Sequence, residues 1–95
     1  MNIRRLHWDE RNTAHIARHG VSPEEVEEVL RGKYVPGTAY GGRESVIGHT
    51  VSGRMLTLFL HNFGQRGYYP VTARDASRQE RFEYARKTAT EDTDA

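Results

Sequence analysis

At 95 residues, 36% hydrophobic and 28% charged, the chain makes one domain with one modest core and is not a disordered polymer. Without cysteine it has no disulfide framework and no cysteine-ligated zinc or iron–sulfur site, and no apolar run is long enough for a bilayer span or a secretory signal, so a cytoplasmic protein is expected. The net charge of +1 excludes a polycation, but the distribution is uneven, with PEEVEEVLR and the tail acidic and the stretch VTARDASRQERFEYARK rich in arginine.

In chain order, residues 3–8 read as extended, and Asp9 then caps a helix that runs to His19 and stops at Gly20. Ser22 caps a second helix, with Pro23 in its first position, Glu25 completing a Ser-x-x-Glu capping box and Gly32 ending it. Val26, Val29 and Leu30 share its apolar face. Strand patterns follow. Residues 33–40 make a weak strand broken at Pro36-Gly37, Gly41-Gly42 turns into a strand over 43–51, and Ser52-Gly53 turns into another over 54–62. The MLTLFL run suits a central strand covered on both faces. Gly64 to Gly67 turn the chain into a strand over 68–74, in which Pro70 requires an edge position or a bulge. Ser77 and Glu80 form a capping box for a last helix reaching about Lys87, with Phe82 and Ala85 as its docking face. The expected fold is α+β: two N-terminal helices, an antiparallel sheet of three to four strands, and a C-terminal helix packed on the sheet. Residues 1–88 form the single domain and 89–95 an acidic, disordered tail.

Of fourteen cationic residues only Lys33 and Lys87 are lysine; guanidinium is the better fork for phosphate and for carboxylate alike. Arg74 ends the last strand and Arg78 opens the helix, so the two should meet beside a helix N-terminus, where an anion is favoured. Arg81 flanks them. The same run also reads as a solvated, ion-paired surface, with Glu83 and Lys87 at i, i+4 and Asp75 able to neutralise Arg74 or Arg78. His7, Trp8 and Tyr69 suit base stacking, while a lone Trp8 ahead of a helix also suits the core. His15 and His19 have zinc spacing but lack a helical glutamate and a clear third ligand, so no metal site is expected.

The opening HWDERNTAHIARHGVSPEEVEEVL resembles the signature of the BrnT toxins, as do RESVIGHTVSGRMLTLF and the closing VTARDASRQERFEY. The likeness spans roughly residues 6–84, in three ordered blocks. It implies a RelE-like fold and a metal-independent endoribonuclease that stops translation without a cofactor. It also implies a hetero-oligomer with a small ribbon-helix-helix antitoxin of the BrnA type. Carried over, the family's basic positions fall on Arg43, Arg54, Arg74, Arg78 and Arg81, with Tyr84 closing the motif. Asp75 and Phe82 depart from the pattern and make the segment less cationic. For RNA cleavage by the ribose 2′-OH, Arg74, Arg78 and Arg81 suit charge stabilisation, and His61, Tyr84 or Glu80 proton transfer. Arg43, Arg54, His7, Trp8 and Tyr69 suit RNA binding. Two alternatives remain open: an interaction module that keeps the fold and partner without cleavage, and a small nucleic-acid-binding regulator.

Overall fold

Local chemistry sets the first two helices. The Asp9 carboxylate accepts the Asn12 backbone N–H, and the Asn12 side chain accepts the Asp9 N–H in return, opening α1 (Glu10–Ala17). Ser22 and Glu25 make the same reciprocal pair for α2 (Pro23–Arg31), with Pro23 in the first turn. This computed structural model describes residues 5–38 and 41–93, with side chains to residue 89. The extended reading of residues 3 and 4, the strand reading of Ala39 and Tyr40 and the side chains of Glu91, Asp92 and Asp94 lie outside the described residues.

Four strands follow, β1 (Tyr34–Pro36), β2 (Glu44–His49), β3 (Met55–Asn62) and β4 (Tyr68–Asp75), paired antiparallel in sequence order. β1 ends at Pro36, and Gly41 and Gly42, at φ +54° and +77°, form the tip of a longer connection and not a two-residue hairpin. The Pro70 expectation holds on both counts. β4 is the last strand of the sheet, and a bulge opposite Phe59 and Leu60 leaves Val71 without a partner. The segment before α1 runs parallel to β4, bonding through Arg5, Leu6 and His7 to Tyr68. The last helix, α3 (Arg78–Thr93), continues past Lys87 into the stretch read as tail. Among the described residues no helix is long and apolar enough to cross a membrane.

The sheet is a central layer. On one face Val46, Leu56, Leu58 and Leu60 pack against Ile16 of α1 and Val26 and Val29 of α2, all fully buried. Each such side chain contributes about 1.5–3 kcal/mol by leaving water. Gly48 permits the close approach of α2, since a Cβ there would meet a Val29 methyl at 2.9 Å. On the other face α3 lies over β1 and β2, where Tyr84 packs on Val35, Ile47 and Ala76.

The docking face of α3 differs from the expected one. Phe82 is 68% exposed and Ala85 is exposed, while Tyr84 and the polar Glu80 and Lys87 turn inward. The helix has no apolar stripe for periodicity to find, so its face is chosen by partners distant in sequence. Glu80 meets Arg74 and Thr57, the Tyr84 hydroxyl donates to the Lys33 carbonyl at 3.3 Å, and Lys87 Nζ donates to the Pro36 carbonyl at 2.7 Å. Because α3 covers β1 and β2, the His61, Val71 and Thr72 end of β3 and β4 stays open on that face.

Candidate nucleic-acid interface

Arg74 lines a cavity to which Arg78 does not contribute, and it is engaged by a carboxylate. Arg74 closes both guanidinium nitrogens on Glu80, at 2.7 and 3.0 Å, and its charge lies over the Phe59 ring, 5.2 Å from the centroid. Glu80 also accepts the Ser77 N–H at 2.8 Å and the Thr57 hydroxyl at 2.9 Å. Its capping role thus points the carboxylate back at the end of β4, within reach of Arg74. Arg78 and Arg81 are exposed, and neither guanidinium makes a hydrogen bond or ion pair among the described residues. Asp75 is not the neutraliser of Arg74; its carboxylate pairs with Arg54 at 2.8 Å.

Arg54, expected to bind RNA, staples the fold. It reaches Asp75 at the end of β4, Glu25 in α2 and the Gly20 carbonyl between the helices. Its bond to Asp75 raises its affinity for its proton and lowers that of Asp75. Tyr84 is a packing residue bonded to Lys33, its ring edge-on to His49. Trp8 is half-buried against the main core and its indole N–H donates to Glu27 at 3.3 Å, outside the groove that holds Arg43, His61 and Tyr69.

Glu80 has a consequence for stability. The Arg74 fork, helped by Ser77 and Thr57, holds its carboxyl at about 2 against an ordinary 4.5. Because the folded value is depressed, the stabilisation is complete above about pH 4.5 and is lost as pH falls toward 2. With Arg74 38% exposed, solvent screening reduces this to about 2 kcal/mol. Urea midpoints of wild type and Glu80→Gln should differ at pH 7 and converge as pH drops below 4; a constant difference contradicts the linkage.

The other expected residues gather elsewhere. A groove of about 660 Å³ lies between α1, the start of β2 and the open ends of β3 and β4. Among the described residues its lining carries Arg11, His15, Arg43 and His61, with Tyr69 and Phe63 as aromatic walls, and no carboxylate belongs to it, the Asp9 carboxylate bonding the Tyr69 hydroxyl and acting electrostatically with Arg11. Arg11 and His15 lie at i, i+4 on α1, about 100° round from the stripe of Asn12 and Ile16 that α1 buries, and Asn12 lines the groove beside them. His61 pairs with Tyr69 across β3 and β4. The Tyr69 hydroxyl donates to Asp9 at 3.1 Å, fixing the ring against the α1 cap. The Arg43 guanidinium makes no hydrogen bond or ion pair among the described residues. By contrast, the cavity of about 350 Å³ that holds Arg74 offsets it and Lys87 with Glu80 and Glu83. His7 lines neither; its Nε2 meets the Arg66 carbonyl in a smaller cavity of about 220 Å³ shared with Phe63.

Of the expected residues, then, Arg43, His61 and Tyr69 converge, and Arg54, Arg74, Arg78, Arg81, Tyr84, His7 and Trp8 lie outside that groove. Arg11, His15 and Phe63 join it without having been read as RNA-facing; the i, i+4 spacing of Arg11 and His15 was the available signal. His15 and His19 stack edge-on at 5.6 Å, and among the described residues no group of three potential metal ligands forms around them. Compared with protein-family models, curated proteins and solved structures, the chain has no match.

Proposed function

We propose that the chain is a BrnT-type toxin with a RelE-like fold, an endoribonuclease that cleaves RNA through the ribose 2′-OH and is neutralised by a ribbon-helix-helix antitoxin. The three sequence blocks suggest the class. The observation that carries the reading is the groove whose lining, among the described residues, holds two arginines and two histidines and no carboxylate. Such a lining attracts a phosphodiester and offers groups that can move protons, and its aromatic walls accept unstacked bases.

In this reading the RNA backbone lies in the groove with a phosphate between Arg11 and Arg43. The 2′-oxygen attacks the adjacent phosphorus and the 5′-oxygen leaves, giving a 2′,3′-cyclic phosphate and a 5′-hydroxyl. His61 takes the 2′-OH proton and His15 returns one to the 5′-oxygen, since imidazole can do either near neutrality. Arg11 and Arg43 stabilise the extra negative charge on phosphorus. Glu80 is a poor base here, because four donor groups, from Thr57, Ser77 and both arms of Arg74, already occupy its oxygens.

A second reading, an interaction module that binds its partner without cleaving, is favoured by one observation: Glu80 occupies the fork of Arg74. Inducible expression separates the two. The first expects growth arrest that is relieved by the Arg11→Ala, Arg43→Ala double variant and by co-expression of a ribbon-helix-helix protein from the adjoining reading frame. Expression without arrest, and without RNA cleavage in a reconstituted translation reaction, supports the second.

A further inference from the structure

Phe63 is an aromatic ring left 43% exposed at the end of a rigid turn. Its backbone N–H donates to the Gly67 carbonyl at 2.8 Å, and the Gly64 N–H donates to the Asn62 side chain at 2.7 Å. The turn is pinned to the N-terminal segment at Gly67, φ +102°, where a Cβ would meet the Arg5 carbonyl at 2.6 Å. Two imidazoles orient the ring, His61 at 4.6 Å and 61° and His7 at 6.4 Å and 80°. The ring stands between two cavities and borders both: the basic groove on one side, and on the other the recess formed with His7 and Arg66.

From this placement we infer that Phe63 is the stacking platform for an unpaired base of single-stranded RNA whose adjacent backbone occupies the groove. The inference rests on the RNA reading above and adds to it a base subsite and a substrate class. A base turned out of the strand next to a phosphate held by Arg43 reaches the Phe63 ring, while Arg66 lines the same recess. Aromatic faces bind any base with little sequence preference, so the subsite selects for unpaired bases and against duplex. A helical duplex keeps its bases stacked on one another and has none to offer the ring.

The test uses the full chain and a short single-stranded RNA carrying one 2-aminopurine. Wild type should quench the fluorophore on binding, and Phe63→Ala should lose the quench and weaken binding about tenfold. Phe63→Leu, which keeps an apolar side chain on the turn, should behave like Phe63→Ala, and it decides the matter if the alanine variant fails to fold. Phe63→Trp should retain both signals. An RNA with an abasic site at the quenched position should bind wild type about as weakly as intact RNA binds the alanine variant. The inference is overturned if wild type binds single-stranded RNA and Phe63→Leu matches it in affinity and quench; the nuclease reading then stands. If wild type binds no single-stranded RNA, both fall together.

Discussion

Replacing His61 with alanine should lower RNA cleavage by about a hundredfold or more while leaving the thermal midpoint close to that of wild type. His61 is exposed at the end of β3, and among the described residues its only interaction besides strand pairing is the ring contact with Phe63. Its removal therefore creates no core cavity. In the proposed mechanism it takes the proton from the attacking 2′-oxygen, and loss of a positioned general base typically costs two to four orders of magnitude, roughly 3–5 kcal/mol of barrier. The loss should fall mainly on kcat, because phosphate binding belongs to Arg11 and Arg43. His61→Ala activity within about threefold of wild type would remove His61 from the chemistry.

Asn12→Ala should be among the most destabilising polar substitutions in the protein, at about 3 kcal/mol. Asn12 is 1% exposed and ties the start of α1 and the segment just before it to β4. Its Oδ1 accepts the Asp9 N–H at 2.9 Å, and its Nδ2 donates to the carbonyls of His7 at 2.9 Å and Pro70 at 3.0 Å. Alanine leaves these three backbone groups without a partner, two of them only partly reached by water. For a domain of this size the midpoint should fall by about 10–20 °C. Asn12→Asp separates the cap from the bridge, since it keeps the acceptor for Asp9 but cannot donate. It should recover little. Thermal unfolding checks both, and a midpoint within about 3 °C of wild type for either variant contradicts the assignment.

The elements that local chemistry specifies could be read from the sequence. Asp9 with Asn12 and Ser22 with Glu25 cap their helices across three residues, so the first two helices begin where their residues say. MLTLFL is an interior strand with Leu56, Leu58 and Leu60 fully buried, but the expected cover of both faces is incomplete, since α3 lies over β1 and β2 and leaves Met55 and Phe59 half-buried. The face of α3 was not legible, because Phe82 and Ala85 are an apolar pair without a stripe and the real anchors are Tyr84 and the Glu80–Arg74 pair. Arginine was ambiguous for a related reason. Arg54 and Arg74 look alike as free cations in a string of letters, yet Asp75, Glu25 and Glu80 arrive beside them only when the sheet forms. The basic groove assembles in the same non-local way, from α1, the start of β2 and the β3–β4 pair, so Arg43 comes beside His61 through strand register and His15 through the packing of α1 on β4.

The proposed activity of the groove lined by Arg11, His15, Arg43 and His61 is cleavage of RNA by the substrate's own ribose 2′-hydroxyl. The most direct measurement incubates the purified chain with a single-stranded RNA in EDTA, alone and on translating ribosomes, and identifies the product ends. Fragments ending in 2′,3′-cyclic phosphate, absent when the RNA is 2′-O-methylated and absent with His61→Ala, are the expected result. Intact RNA under both conditions, or cleavage that persists on the 2′-O-methylated strand, contradicts it.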